Sequence, residues 1–143
     1  MFNIVLVEPE IPANTGNISR TCAITGTALH LIKPLGFSID DKHLKRAGLD
    51  YWHLLDLHVY ENLDEFLAQH GDKRMFLATT KSAQHYDEVE FQDGDFIVFG
   101  KETAGLPQRM HDLYPDTRVK IPMLDIEAAR SLNLSNSAAI ILY

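Results

Sequence analysis

The sequence predicts an α/β fold, a mostly parallel sheet with helices on both faces. Two observations carry this: apolar runs of strand length recur along the chain, and helix-start and helix-stop residues stand between them. Strands that alternate with helices at this spacing pair in parallel and are covered on both faces. In such sheets ligands bind outside the carboxyl ends of the strands, where the loops 8–15, 79–86, 100–106 and 122–131 gather.

The first strand is the run Ile4, Val5, Leu6 and Val7, ended by Glu8-Pro9-Glu10-Ile11-Pro12, whose prolines interrupt strand and helix alike. Asn14 and Thr15 then cap a helix that turns Ile18, Cys22 and Ile24 toward the core, and Gly26 stops it. A second strand over 29–32 ends at Pro34. Ser38-Ile39-Asp40-Asp41 opens a short helix that reaches Ala47 and closes at Gly48. Leu55, Leu57 and Val59 alternate as a strand does, and Asn62 caps a helix over 63–70 with Leu63, Phe66 and Leu67 on one face and Gly71 as its stop. Residues 75–79 and 96–100 are further strands, Pro107 opens a helix toward Tyr114, and 119–121 is a last short strand. The closing stretch Ser131-Leu132-Asn133-Leu134-Ser135-Asn136-Ser137 interleaves small polar residues with leucines ahead of an apolar run. Held at a buried edge, such groups need hydrogen-bond partners, which marks a ligand site; the plainer reading is helix capping by Ser135 and Asn136.

At 143 residues the chain fits one domain over 1–143, able to bury roughly 70% of its unfolded surface without disulfides. Cys22 is its only cysteine, so an internal disulfide and a cysteine-rich zinc site are excluded. No apolar run approaches the roughly 20 residues of a membrane span, and the N-terminus lacks the pattern of a signal peptide. A soluble, cytoplasmic protein without a membrane partner is expected. The formal net charge of −7 argues against coating nucleic acid by bulk electrostatics and leaves room for a local basic patch. Lys42, His43, Lys45 and Arg46 form one such cluster, which a solvated helix face would also explain.

Several chemistries fail on spacing. In the loop Gly100-Lys101-Glu102-Thr103-Ala104-Gly105-Leu106-Pro107, Gly94 lies one residue too far from Gly100 for a phosphate-binding P-loop, and Thr103 does not directly follow Lys101. The chain lacks G-x-G-x-x-G after any predicted strand, and it lacks G-x-S-x-G. Histidines 30, 43, 53, 58, 70, 85 and 111 show no metal-binding spacing and read as scattered surface or half-buried residues, so no metal is expected. The run Asn14-Thr15-Gly16-Asn17-Ile18-Ser19-Arg20 is more specific. Capping accounts for Asn14 and Thr15 but not for a guanidinium on the following turn, and a loop ahead of Asn17 would aim Asn14 and Arg20 at one point. An arginine at a helix start beside a strand end suits a phosphate or a developing oxyanion.

Three ordered segments resemble the motifs of the SPOUT (SpoU–TrmD) RNA methyltransferases: residues 3–34 with N-T-G-N-I-S-R, 96–107 with G-K-E-T-A-G-L-P, and 121–143 with I-P-M and S-L-N-L-S-N-S. The similarity is to the minimal type that methylates the ribose of the tRNA wobble nucleotide, and it spans nearly the whole chain. It implies a homodimer with a trefoil knot near the carboxyl end. True knots are otherwise so rare that sequence reasoning excludes them. It also implies S-adenosylmethionine as methyl donor, S-adenosylhomocysteine as product, and the tRNA anticodon stem-loop as partner.

By that resemblance the catalytic positions are Arg20, Asn14, Glu102, Ser131 and Asn133. The cofactor pocket falls on Ala78, Thr79, Gly100, Ile121, Met123, Ser131 and Leu132, with Gly100 expected to let the chain approach closely. Arg20, Lys42, Lys45, Arg46 and Arg130 are expected to form the RNA surface of the dimer. A guanidinium is protonated at any ordinary pH, so Arg20 is read as stabilising a developing alkoxide and an adjacent phosphate. Leu124-Asp125-Ile126-Glu127-Ala128-Ala129 is longer than the usual linker of the family and adds two carboxylates. Two alternatives stay open: ribose methylation of another RNA such as rRNA, or a knotted binding module without turnover, the latter because family members usually continue the final helix beyond the equivalent of Tyr143.

Overall fold

In the computed structural model, which describes residues 1–38, 53–122 and 133–143, six strands form one sheet in the order β3-β2-β1-β5-β4-β6. They are β1 (Asn3–Val7), β2 (Ala28–Ile32), β3 (Leu57–Tyr60), β4 (Met75–Ala78), β5 (Phe96–Phe99) and β6 (Arg118–Val119), and each pairs with its neighbours in parallel. Successive side chains on a strand point to opposite faces. Ile4 and Leu6 of β1 therefore enter one apolar cluster, with Leu29, Leu31, Ile97 and Phe99, while Val5 and Val7 enter another, with Ile32, Leu77 and Val98. That is why the central strands read as unbroken apolar runs.

Helices close both faces. On one side α1 (Pro12–Thr25) and α4 (Leu134–Leu142) contribute Ile18, Cys22, Ala138 and Ile141. On the other, α2 (Leu63–His70) and α3 (Gln108–Leu113) contribute Phe66 and Met110, both fully buried. Burying a side chain of this size stabilises the fold by about 1.5–3 kcal/mol. Asn62 caps α2 as expected, accepting a hydrogen bond from the Glu65 N–H at 2.8 Å, and Gly71 follows the last turn.

Other boundaries differ from the sequence reading. The first helix begins at Pro12, where the missing proline N–H costs nothing, so Asn14 and Thr15 lie inside its first turn and do not cap it. Gly26 ends it in the left-handed conformation, φ 68°. Leu55 precedes β3, and Val59 is 38% exposed because β3 is the edge strand. The cap of α4 is Asn133, whose Oδ1 accepts from the Ser135 and Asn136 N–H groups, so the latter two are donors and not caps. The expected helix from Ser38 to Gly48 lies, beyond Ser38, outside the described residues, as do Lys42, His43, Lys45, Arg46 and 123–132.

The histidines are not all surface or half-buried residues. His30 on β2 is 3% exposed. Its ring nitrogens pair with the Tyr60 hydroxyl at 2.8 Å and the Asn3 side-chain carbonyl at 2.9 Å, and the same hydroxyl meets His70 Nε2 at 3.1 Å. Burial, with His58 and His70 close by, pushes the His30 pKa down from 6.5 to about 3. The neutral ring is therefore part of the fold, and its contribution is full above pH 6.5. As pH falls from 6.5 through about 3, the unfolded chain takes up a proton that the folded one resists, and stability is lost. The thermal midpoint should drop between about pH 7.5 and about pH 5, and the drop should shrink in His30→Gln. An equal drop in both proteins would assign the acid sensitivity to other groups.

Candidate active site

From β1 the chain proceeds outward through β2 to β3, then crosses to the other side of β1 to build β4 and β5. The order reverses between β1 and β5, and such a switch point leaves a crevice at the strand ends. A cleft of about 520 Å³ opens there, within the ordinary range for small-molecule sites. Its walls come from the loops after β1, β4, β5 and β6, from α4, and from Asn14 of α1 and His111 of α3.

Close backbone packing shapes these loops. Gly36 donates its N–H to the Pro9 carbonyl at 2.9 Å, and a side chain on Gly36 would stand 2.6 Å from the Glu10 carbonyl oxygen. After β5, the Gly105 N–H returns to the Lys101 carbonyl at 2.9 Å with Gly105 at φ +71°. That return brings the loop onto Gly100, where a Cβ would fall 2.0 Å from the Gly105 carbonyl carbon. The expected close approach at Gly100 is thus made first by the loop itself.

The two loops grip each other through carboxylates. Glu102 Oε1 accepts the Glu10 N–H at 2.9 Å, while Oε2 accepts the Ile11 N–H at 2.7 Å and the Asn14 amide at 3.2 Å. In return, the Glu10 carboxylate accepts the Thr103 hydroxyl at 2.7 Å and the Thr103 N–H at 2.9 Å. Those bonds, the hydroxyl's first, hold the Glu10 pKa below its ordinary value. From Asn14 the network continues, because its Oδ1 accepts the Asn133 amide at 3.0 Å. Both Glu102 oxygens are engaged in holding backbone and amide, which makes it a positioning group.

The structure thus brings Asn14, Glu102 and Asn133 together at one wall of the cleft. Ala78, Thr79, Gly100 and Ile121 also line it. Met123, Arg130, Ser131 and Leu132 lie outside the described residues. Arg20 does not stand at a helix start: it is on the exposed side of α1, past its midpoint, and is not among the residues lining the cleft. Asn14 is 6% exposed, so a continuous helix from Pro12 separates the two side chains that a loop was expected to bring to one point.

Sequence reasoning missed several cleft residues, among them Lys81, Lys120 and His111, whereas Leu134 and Ser137 belong to the closing stretch it marked as a ligand site. Glu10, which reaches Thr103 across 93 positions of sequence, carries no local signal at all. His111 is 6% exposed, another departure from the surface reading of the histidines. Burial, and then Lys81 and Arg118, lower its pKa. Among the described residues His85, Asp87 and Glu88 bring possible ligand atoms within 4.8 Å of one another on a partly exposed turn.

The whole chain, residues 1–143, matches the model of the SpoU rRNA Methylase family. The chain belongs to this family. The chain is 55% identical over 144 aligned residues to a tRNA (cytidine(34)-2'-O)-methyltransferase of Methylovorus glucosotrophus, covering 100% of the chain and 92% of that relative. A solved structure described as giving insights into the 2-OH methylation of C/U34 on tRNA aligns with a TM-score of 0.92 at 40% identity, covering 100% of the chain and 92% of the other. The SpoU methyltransferase AviRb from Streptomyces viridochromogenes, solved with AdoMet, has a TM-score of 0.84 at 23% identity and shares the fold over 99% of the chain and 55% of its own length.

Replacing Glu102 by Gln substitutes donors for one acceptor oxygen facing the Glu10 and Ile11 N–H groups, and should cost about 1–3 kcal/mol of stability. Gly100→Ala should unseat the 101–105 loop by a comparable amount. Chemical denaturation measures both losses, and an unchanged unfolding midpoint in either variant would contradict the packing described.

Proposed function

We propose that the chain is an S-adenosylmethionine-dependent methyltransferase that methylates the ribose 2′-hydroxyl of the wobble nucleotide, position 34, of tRNA. The observation that carries this is the pairing of 55% identity, along the whole chain, to a tRNA (cytidine(34)-2'-O)-methyltransferase with a cleft of suitable size at the sheet's switch point. The cleft suits this cofactor in chemistry as well. Val119, Ile121, Leu134 and Ile141 offer apolar surface for a purine, while Thr79, Lys101 and Asn133 offer polar and charged groups for an amino acid end.

Bound there, S-adenosylmethionine would supply an electrophilic methyl group on a sulfonium. Ala78, Thr79, Gly100 and Ile121, with Met123, Ser131 and Leu132, are proposed to hold it. Asn14, Glu102 and Asn133 keep the loops on either side in register, which matters because transfer needs near in-line alignment of the reacting atoms. The ribose hydroxyl is a very weak acid. Arg20, always protonated, is proposed to stabilise the developing alkoxide and a neighbouring phosphate. Its place outside the cleft of its own chain favours a homodimer, in which Arg20, Lys42, Lys45, Arg46 and Arg130 form one RNA surface around two cofactor sites.

A trefoil knot near the carboxyl end belongs to this reading, as does a cytoplasmic location. Among the described residues no helix is long and apolar enough to cross a membrane.

Incubation with methyl-labelled cofactor and unmodified bulk tRNA should place the label on the ribose of nucleotide 34. Label found instead in rRNA would overturn the substrate, and cofactor binding without transfer to any RNA would overturn the enzyme. Arg20→Lys should lower turnover roughly 100-fold or more while leaving cofactor affinity unchanged. Near-normal turnover of that variant would remove Arg20 from the chemistry.

A further inference from the structure

The cleft wall made by α3 carries a group that neither the motifs nor the loop network uses. His111 lines the cleft and is 6% exposed, and its Nδ1 is sealed from solvent and has no hydrogen-bond partner among the described residues. A buried polar atom left unpaired costs free energy, and of the described side chains that carry one, Thr15, His70, His111 and Thr117, only His111 lines the cleft, where a ligand can meet its ring. His30 shows the contrast. It is equally buried, but both of its ring nitrogens are satisfied within the protein.

The chemistry of the surroundings selects the kind of ligand group. Burial, then the nearby cations Lys81 and Arg118, lower the His111 pKa against the opposing Asp112 and so favour the neutral ring. Leu106, Val119 and Ala78 line the same cleft. A neutral, desolvated imidazole among such side chains has no net charge to offer a carboxylate, ammonium or sulfonium, which would each need pairing or water. It suits a neutral heteroaromatic or hydroxyl-bearing group, to which an imidazole offers both a donor and an acceptor.

We propose that His111 is a binding residue of the cleft that holds the nucleoside part of its ligand. This rests on the S-adenosylmethionine reading above, of which it assigns one end. The polar wall formed by Asn14, Glu102 and Asn133 lies on other elements of the cleft.

The test is calorimetric, with two probes that undergo no transfer: S-adenosylhomocysteine and 5′-methylthioadenosine, which keeps the nucleoside and lacks the amino acid end. His111→Leu should weaken both by about tenfold, and His111→Gln by less, since its amide also donates and accepts. Unchanged affinity of the leucine variant for both probes would overturn the inference while leaving the cofactor reading intact. Weakened binding of S-adenosylhomocysteine alone would overturn the assignment to the nucleoside end. If the wild-type protein binds neither probe, the cofactor reading fails and the inference with it. Should the leucine variant not fold, the imidazole resonances of His111 in the wild-type protein carry the test. They should shift when 5′-methylthioadenosine is added, and unshifted resonances at saturation would overturn the proposal.

Discussion

Two carboxylates, each reaching across to the backbone of the other's loop, hold the candidate site together. Glu102 takes the N–H groups of Glu10 and Ile11 just ahead of α1, and Glu10 takes the N–H and hydroxyl of Thr103. Helix α1 has no side-chain cap of its own at Ile11. A carboxylate supplied from β5's loop fills that place, and a negative group at a helix N-terminus is favoured by the aligned peptide dipoles. The grip therefore serves the start of the helix as well as the contact between loops. Asn14, within the first turn, is fixed by the same carboxylate and passes the constraint to Asn133 at the start of α4.

Such a grip requires loops that come very close. β1 and β5 are neighbours in register, Leu6 opposite Phe99, so their following loops leave the sheet side by side. Gly100 and Gly36 then remove the two Cβ atoms that would collide with Gly105 and Glu10 backbone. The N-terminal cap of α4, Asn133, and the strand ends meet around one crevice as a result. Rigid elements carry the walls, and short braced loops carry the polar groups, an arrangement suited to aligning two reactants.

Polarity inside the molecule is divided between two uses. The chain of Asn3, His30, Tyr60 and His70 occupies both ring nitrogens of His30 and consolidates the sheet on the side of α2. His111 faces the crevice with a nitrogen unsatisfied. Charge shows a similar division. A chain of net charge −7 nevertheless sets Lys81, Lys101 and Lys120 along the cleft, with Glu102 as the carboxylate among its described lining residues.

The sequence by itself determined the class of the fold, because apolar runs such as 4–7 and 96–99 and stops such as Gly26 and Gly71 act locally on the backbone. It also ended strands at Thr79, Gly100 and Ile121, where a parallel sheet binds its ligands, and the family resemblance made these three, with Ala78, cofactor positions. The family motifs extended this to Asn14, Glu102 and Asn133. What only the tertiary structure decided are contacts between residues about 90 to 120 positions apart: Glu10 with Thr103, Glu102 with Ile11, Asn133 with Asn14. Their partners are set by which strands lie side by side, and no local pattern encodes that. The same holds for burial. His30 and His111 look like any other histidine in the chain, and only the packing of helices onto the sheet makes one a structural hydrogen-bond hub and leaves the other in the crevice.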